Sequence, residues 1–263
     1  MTAPALEVIR LGKAYEKNGH RVPVLEVDRL AVQDGEFVTV VGPSGCGKST
    51  LLHILGGFIA ADAGEIRVSG RAVAGPGPDR GMVFQEFALF PWRTVAGNVG
   101  WALEVQGSSK REREHVVDRL LALMNLTEFR HHLPGELSGG MKQRVALARV
   151  LAFDPRVLLM DEPFGALDAQ TRETMQEELT RLWERTAKTI VFVTHDIEEA
   201  VYLGDRVVVL SARPGRVRDE VAIDLPRPRR LEAKKSIRCL EHRNYIWELI
   251  RTEAARAGLE RDR

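Results

Sequence analysis

Nine consecutive residues, Gly42-Pro43-Ser44-Gly45-Cys46-Gly47-Lys48-Ser49-Thr50, have the types and spacing to hold a polyphosphate. Gly42, Gly47, Lys48 and Ser49 fill the defining positions of a phosphate-binding loop, G-x-x-x-x-G-K-[ST]. The apolar run Phe37-Val-Thr-Val-Val41 precedes the loop and Leu51-Leu-His-Ile-Leu55 follows it, so it joins a buried strand to a helix. That context is what the chemistry requires. Glycines clear side chains away from the backbone, and successive N–H groups, with the positive end of a helix dipole, can then surround phosphate oxygens. Lys48 is expected to reach the β- and γ-phosphates, and the Ser49 hydroxyl to ligate Mg²⁺. Cys46 reads as a small residue that fits the loop rather than as a reactive thiol.

Hydrolysis of a nucleoside triphosphate also needs an acid to organise Mg²⁺ and a group to orient the attacking water. Asp161 ends the apolar stretch Arg156-Val-Leu-Leu-Met-Asp161, at the carboxyl edge of a sheet, where it suits a Mg²⁺ contact through water. Glu162 follows directly and is expected to face the water beyond the γ-phosphate. Two solvated turn residues would be the plain alternative, which the coexistence with a phosphate loop disfavours.

The elements that must position these residues are legible in the hydropathy pattern. The chain has 263 residues, 44% hydrophobic, with a net charge of +1, so neither a disordered composition nor a nucleic-acid-binding charge balance is present. No run approaches the ~20 apolar residues of a membrane span, and the start, Met1-Thr-Ala-Pro-Ala, carries no secretory signal pattern. Two cysteines, Cys46 and Cys239, suggest no disulfide framework and a reducing compartment. Leu6–Leu11 and Val22–Leu30 alternate as half-buried antiparallel strands do, around a loop at Glu16–His20. From Val95 to Ala152 the periodicity is helical, with Ser108-Ser109 as caps before one helix and Gly139–Leu151 forming another. Strands and helices then alternate: Arg156–Asp161, Ala169–Thr186, Thr189–Thr194, Ile197–Tyr202, Arg206–Leu210. This pattern predicts an α/β fold with a mostly parallel sheet, an antiparallel N-terminal β subdomain and an inserted helical subdomain at about 86–152. Past residue 225 a basic, solvated linker, Pro226-Arg-Pro-Arg-Arg230, is expected, followed by two polar helical segments.

With Leu137-Ser138-Gly139-Gly140-Met141 ahead of the Asp161 strand, the chain resembles the nucleotide-binding cassette of an ABC transporter over about residues 5–225. The resemblance implies a P-loop (RecA-like) core that binds and hydrolyses ATP with Mg²⁺. It implies further roles position by position. Tyr15 falls where an aromatic ring stacks on adenine. Gln85 resembles the glutamine that senses Mg²⁺ and links the core to the helical subdomain. Gly165-Ala-Leu-Asp168 resembles the loop that crosses the dimer interface, and His195 the switch histidine. Ser138, Gly139 and Gly140 resemble the signature that closes the ATP site of a second subunit, so a head-to-tail homodimer is implied. Met141 stands where most cassettes have glutamine, which removes whatever polar contact that glutamine makes.

The segment Gln85-Glu-Phe-Ala-Leu-Phe-Pro-Trp92 places three aromatics in a span expected to be exposed at the edge of the helical insert; from the residues alone a partner surface and a local core around Gln85 stand equally. In ABC importers this region receives a coupling helix of the membrane permease. Together with Asp161-Glu-Pro-Phe164 and Ser211-Ala-Arg-Pro-Gly215, it resembles the bacterial nitrate/sulfonate/taurine importer ATPases. The expected partners are therefore integral membrane permease subunits and, indirectly, an extracytoplasmic solute-binding protein, with no nucleic acid. The expected location is the cytoplasmic face of the bacterial plasma membrane. A soluble ABC ATPase of DNA repair or translation is the alternative, disfavoured by the short helical insert and the single cassette. A degenerate, non-hydrolysing subunit conflicts with the presence of Lys48, Asp161, Glu162 and His195.

Overall fold

The computed structural model describes residues 3–261, which form two compact units, 3–77 with 176–261, and Pro78–Met175. In the first unit, β1 (Leu6–Lys17) and β2 (His20–Val32) make a long antiparallel hairpin. The loop expected at Glu16–His20 shrinks to a turn at Asn18-Gly19, both left-handed, so the strands run almost to the tip. Beside β1 lies β4 (Ala63–Val68), which pairs with the short β5 (Arg71–Ala72), giving the order β2-β1-β4-β5. Alternate residues of β1, such as Leu6 and Val8, are buried while Glu7 and Ile9 are partly exposed, as one covered face demands.

A second set of strands in this unit holds the phosphate loop. β3 (Phe37–Val41) pairs in parallel with β8 (Thr189–Val193) and with β9 (Arg206–Leu210), and β10 (Val217–Ala222) adds an antiparallel edge. Every residue of β3 and β8 is buried, which is why both read as unbroken apolar runs rather than alternating ones. Thr39 and Thr189 are the polar exceptions: the Thr39 hydroxyl donates to the Ala200 carbonyl at 3.2 Å, and the Thr189 hydroxyl accepts from Gly35 N at 3.0 Å. Helices α1 (Lys48–Leu55) and α6 (Ile197–Leu203) follow β3 and β8.

The second unit contains the parallel pair β6 (Arg80–Val83) and β7 (Val157–Asp161) and three helices, α2 (Val95–Val105), α3 (Lys110–Leu123) and α4 (Gly139–Leu151). Side-chain caps set their starts. Thr94 accepts from Gly97 N, Ser109 and Glu112 form a reciprocal capping box, and Ser138 accepts from Met141 N. The helix α5 (Ala169–Thr186) runs on from this unit into the first.

The basic stretch after residue 225 departs from expectation. Arg229 is only 4% exposed, and its guanidinium donates to the carbonyls of Val201, Tyr202 and Gly204 and to those of Ile223 and Leu225. It therefore caps the C-terminal end of α6, where orphan carbonyls and the negative end of the dipole favour a cation. Burial pushes its pKa down to about 10. Arg227 stacks 4.1 Å above the Trp183 ring and donates to Leu203 O and to Asp205. A composition rich in Pro and Arg reads as a solvated linker; here Arg229 is consumed by main-chain carbonyls, and Arg227 by one carbonyl, Asp205 and the Trp183 ring. The two polar helices expected beyond it are a 3-10 turn at Leu231–Lys235 and one long helix, α7 (Ile237–Arg261). Cys239 and Ile246 of α7 are buried in an apolar cluster with Val201, Val207, Val209 and Ile223.

Candidate functional site

The residues singled out for chemistry fall into both units. Tyr15, Gly42 to Thr50 and His195 belong to the first; Gln85, Ser138 to Gly140, Asp161, Glu162 and Asp168 belong to the second.

In the first unit the loop turns sharply between β3 and α1. Gly47 has φ +105°, a left-handed conformation, and a Cβ there would lie 2.8 Å from Leu25 Cδ2, so only glycine fits. Gly47 is also the N-cap of α1 and offers no side-chain cap, so the first-turn amides face an anion site rather than a capping oxygen. Lys48 is 8% exposed, and its ammonium group donates to the carbonyls of Gly42 at 2.9 Å and Pro43 at 3.2 Å. The cation is thus folded back over the loop's own backbone, a position from which it can turn toward phosphate. Ser44, Gly45 and Ser49 are exposed, Pro43 and Thr50 half-buried, and Cys46 buried. Burial raises the Cys46 thiol pKa above its ordinary value, more than nearby Lys48 lowers it, in keeping with a packing role.

A second segment braces this loop. Arg213 donates to Gly45 O at 3.2 Å. Gly215 is tied to β2, donating to Val24 O and accepting from Glu26 N. Ser211 accepts from Arg216 N and donates to Pro214 O, and the Ala212 amide donates to the buried Glu253 of α7. From sequence, Ser211–Gly215 carried only a family likeness; its contact with the phosphate loop spans 168 residues and leaves no local trace.

Tyr15 lies on β1 opposite Val22, 41% exposed, with Lys13 Nζ 5.4 Å from its ring centroid. Lys13 and the Ala14 amide both donate to Asp62; the Lys13 bond leads the causes that pull its carboxyl down to about 2. This pinning fixes the strand that presents the tyrosine. His195, exposed, follows β8. Its neighbours are tightly held. The Asp196 amide donates to Thr194 Oγ1, and Asp196 Oδ1 caps α6 by accepting from Glu198 N and Glu199 N.

In the second unit, Asp161 is the buried last residue of β7, and Glu162 follows with φ +43°. A left-handed glutamate costs on the order of 1 kcal/mol or more, and such outliers cluster at functional sites. The Gly165 amide donates to Glu162 O at 3.0 Å and closes the turn. A Cβ at Gly165 would lie 3.6 Å from Gln85 Nε2 and 3.8 Å from Glu162 Oε2, so the two polar side chains converge beside a bare glycine. Asp168 accepts from Thr171 N at 3.0 Å at the start of α5, and its carboxyl pKa is lowered first by the Thr171 side chain and then by this amide. Ser138 and Gly139 are exposed at the N-terminus of α4, while Gly140 is buried against Thr171.

The segment after Gln85 is more buried than expected. Phe87 and Phe90 are half-buried, and only Trp92, 74% exposed, stands in solvent. Asn98, fully buried, accepts from Phe90 N and donates to the carbonyls of Phe90, Arg93 and Thr94. From α4, Arg149 donates to Ala88 O and Phe87 O and lies over the Phe90 ring at 5.4 Å. Neither staple had a sequence signal, because both act on carbonyls rather than on a motif.

Ser49 in the first unit offers a hydroxyl, and Gln85 and Asp161 in the second offer an amide and a carboxylate. Such a set suits Mg²⁺, which keeps waters and substrate phosphate oxygens in its shell and takes only one or two protein ligands. Among the described residues no cluster of three His, Cys, Asp or Glu forms a self-contained metal cage.

A parallel-stranded core with a phosphate loop, an antiparallel sheet and a helical group define a P-loop nucleoside triphosphatase of cassette type. The ABC transporter family model matches residues 25–165. An uncharacterised ABC transporter ATP-binding protein of Methanocaldococcus jannaschii is 50% identical, covering 96% of this chain and 93% of its own length. The nitrate import ATP-binding protein NrtD of Synechocystis is 50% identical over 84% of this chain and 83% of its own. The taurine import ATP-binding protein TauB of Pseudomonas syringae is 48% identical over 90% and 89%. Among solved structures, the ATP-binding cassette MJ0796, a dimer in a post-hydrolysis state bound to ADP and Pi, is similar with a TM-score of 0.73 and 34% identity. That likeness covers 84% of this chain and 100% of the other. The chain belongs to the ABC transporter family, as an ATPase subunit whose hydrolysis is coupled to solute import.

Proposed function

We propose that this chain powers a bacterial importer of nitrate, a sulfonate, taurine or a related small solute. The relatives named for nitrate and taurine import support that solute class. In this reading residues 1–225 form the cassette, with the helical subdomain at about 86–152, and 226–263 form an added tail. The subunit is peripheral on the cytoplasmic face of the plasma membrane. Among the described residues no helix is long and apolar enough to cross a membrane. In this reading translocation belongs to separate permease subunits, served by an extracytoplasmic solute-binding protein. The segment Gln85–Trp92 is their docking surface, with Trp92 as its exposed aromatic.

For hydrolysis, the amides of Gly42 to Thr50 cradle the phosphates, and Lys48 leaves the Gly42 and Pro43 carbonyls to pair with the β- and γ-phosphates. Tyr15 stacks on the adenine. Ser49, Gln85 and Asp161 would hold Mg²⁺, which would supply neutralisation of the charge developing on the phosphate oxygens. Glu162 accepts a proton from the attacking water, and His195 stabilises the γ-phosphate oxygens. The observation that carries this assignment is the strained, left-handed Glu162 beside Gln85. In a homodimer, Ser138, Gly139, Gly140 and Asp168 of one copy complete the site of the other.

Glu162→Gln keeps the shape and removes the base. In a purified-protein assay it is expected to bind ATP with unchanged affinity while turnover falls at least a hundredfold. Turnover like that of the unmodified protein would remove Glu162 from the mechanism.

A further inference from the structure

His195 sits in a segment whose anchoring runs through a buried polar chain unrelated to phosphate binding. Thr194, 2% exposed, gives its hydroxyl proton to Glu199 Oε2 at 2.5 Å. Having donated, the same oxygen is free to accept from the Asp196 amide at 3.0 Å. The residues on either side of His195 are thereby bonded to each other through Thr194 Oγ1. Glu199, 4% exposed, uses its other oxygen to accept from Gln176 Nε2 at 2.9 Å. Gln176, 2% exposed on α5, then accepts from Lys234 Nζ at 2.8 Å. Lys234 comes from the 3-10 turn of the C-terminal segment, and it also pairs with Glu198 at 3.5 Å.

We infer that Glu199 is a positioning residue for His195, and that Lys234 extends this control to the C-terminal segment. The orientation of the hydrogen bonds carries the inference. Only a carboxylate at position 199 can accept from both Thr194 and Gln176, because it offers acceptors alone. That fixes the Thr194 hydroxyl as a donor toward Glu199 and leaves its lone pairs for Asp196. Lys234, a donor alone, fixes the Gln176 amide with its oxygen toward the tail and its NH₂ toward Glu199. Each member forces the orientation of the next, ending at the peptide that carries His195. Such chains in a low-dielectric interior are strong when complete and costly when one member is wrong.

This inference rests on the reading of His195 as the group that acts on the γ-phosphate, and the test separates the two. ATP turnover and binding of a fluorescent ATP analogue are measured on the purified full-length chain for Glu199→Gln, Lys234→Met, His195→Ala and the two double variants with His195→Ala. Glu199→Gln presents an NH₂ to one of two donors and is expected to lower kcat about tenfold with nucleotide affinity unchanged. Lys234→Met keeps the apolar stem and is expected to lower kcat about threefold. In the His195→Ala background both effects are expected to vanish, since the group being positioned is gone. Full turnover in His195→Ala alone would overturn the reading of His195 and this inference with it. An inactive His195→Ala beside unchanged kcat in Glu199→Gln and Lys234→Met would overturn the inference alone. So would kcat losses that multiply fully with that of His195→Ala, because a general structural defect behaves that way. If Glu199→Gln fails to fold, Lys234→Met decides by the same criteria.

Discussion

Arg213 grips the Gly45 carbonyl from 168 positions away, donating through Nη2 at 3.2 Å. The loop it holds must present its amides to phosphate, so its carbonyls need partners elsewhere. Lys48 takes those of Gly42 and Pro43, and Arg213 takes the one at the crest. Once Lys48 turns toward a bound triphosphate, Arg213 remains as a side-chain brace on the loop backbone.

Arg213→Ala is therefore expected to weaken ATP binding about fivefold, on the order of 1 kcal/mol for an exposed, charge-assisted hydrogen bond. The loss should lie in KM, with kcat nearly unchanged, because the brace acts before chemistry. Arg213→Lys should recover part of it through one donor. Titration with a fluorescent ATP analogue checks this, and equal affinity in the three proteins would show the brace to be idle.

Asn98 offers a sharper contrast with Trp92. Asn98 is fully buried and satisfies one amide and three carbonyls of the segment 90–94. Its replacement by alanine removes the partner of the Phe90 amide and the Arg93 carbonyl, while the Phe90 and Thr94 carbonyls keep main-chain donors, at a cost of about 3 kcal/mol. That should lower the thermal midpoint by roughly 5–10 °C. Trp92→Ala removes an exposed side chain and should leave the midpoint unmoved, yet weaken co-purification with the permease. Calorimetry and pull-down from membranes read the two effects separately. A midpoint shift in Trp92→Ala as large as in Asn98→Ala would mean that Trp92 belongs to the core.

Cys46 gives a dependence on pH. Its thiol pKa is raised by burial above the ordinary value, so at neutral pH its thiolate fraction falls below that of an exposed cysteine. Alkylation by iodoacetamide should be slow at pH 7.5 and should accelerate only as the pH rises above the ordinary thiol range. Mass spectrometry of the peptide containing Gly42–Thr50 follows it directly. Rapid labelling at pH 7.5 would identify a reactive thiol in the phosphate loop.

The motifs were readable because their chemistry is local. Gly42 to Thr50 must be contiguous to wrap a phosphate, and Asp161-Glu162 must follow a buried strand to sit at a sheet edge. The continuous apolar runs of β3, β7 and β8 likewise betrayed strands covered on both faces. What stayed hidden acts over long separations or through backbone carbonyls. Arg229 looked like a linker cation until α6 supplied the orphan carbonyls it caps. Phe90 looked like a surface aromatic, but Arg149 and Asn98 draw it half inside. Glu199 stands beside Glu198 in the first turn of α6, and nothing local links it to Gln176 or Lys234.

Ser138 carries the most demanding prediction. It caps α4 by accepting from Met141 N at 3.3 Å, a task that needs no second subunit. Ser138 and Gly139 are nonetheless exposed, leaving an uncovered helix N-terminus able to meet an anion. If a second copy's triphosphate is that anion, Ser138→Arg should lower turnover more than a hundredfold while each monomer still binds ATP. Lys48→Ala should also be inactive, through loss of the phosphate contact. The two defects lie on opposite halves of a head-to-tail site, so a mixed dimer contains one complete site and one doubly damaged one. Random mixing in equal amounts makes half the dimers mixed, so turnover should return to at most about a quarter of normal. Recovery in a mixture of two inactive proteins has no explanation within a single chain. Substantial turnover in Ser138→Arg alone, or loss of monomer binding, would instead confine Ser138 to its role as a helix cap.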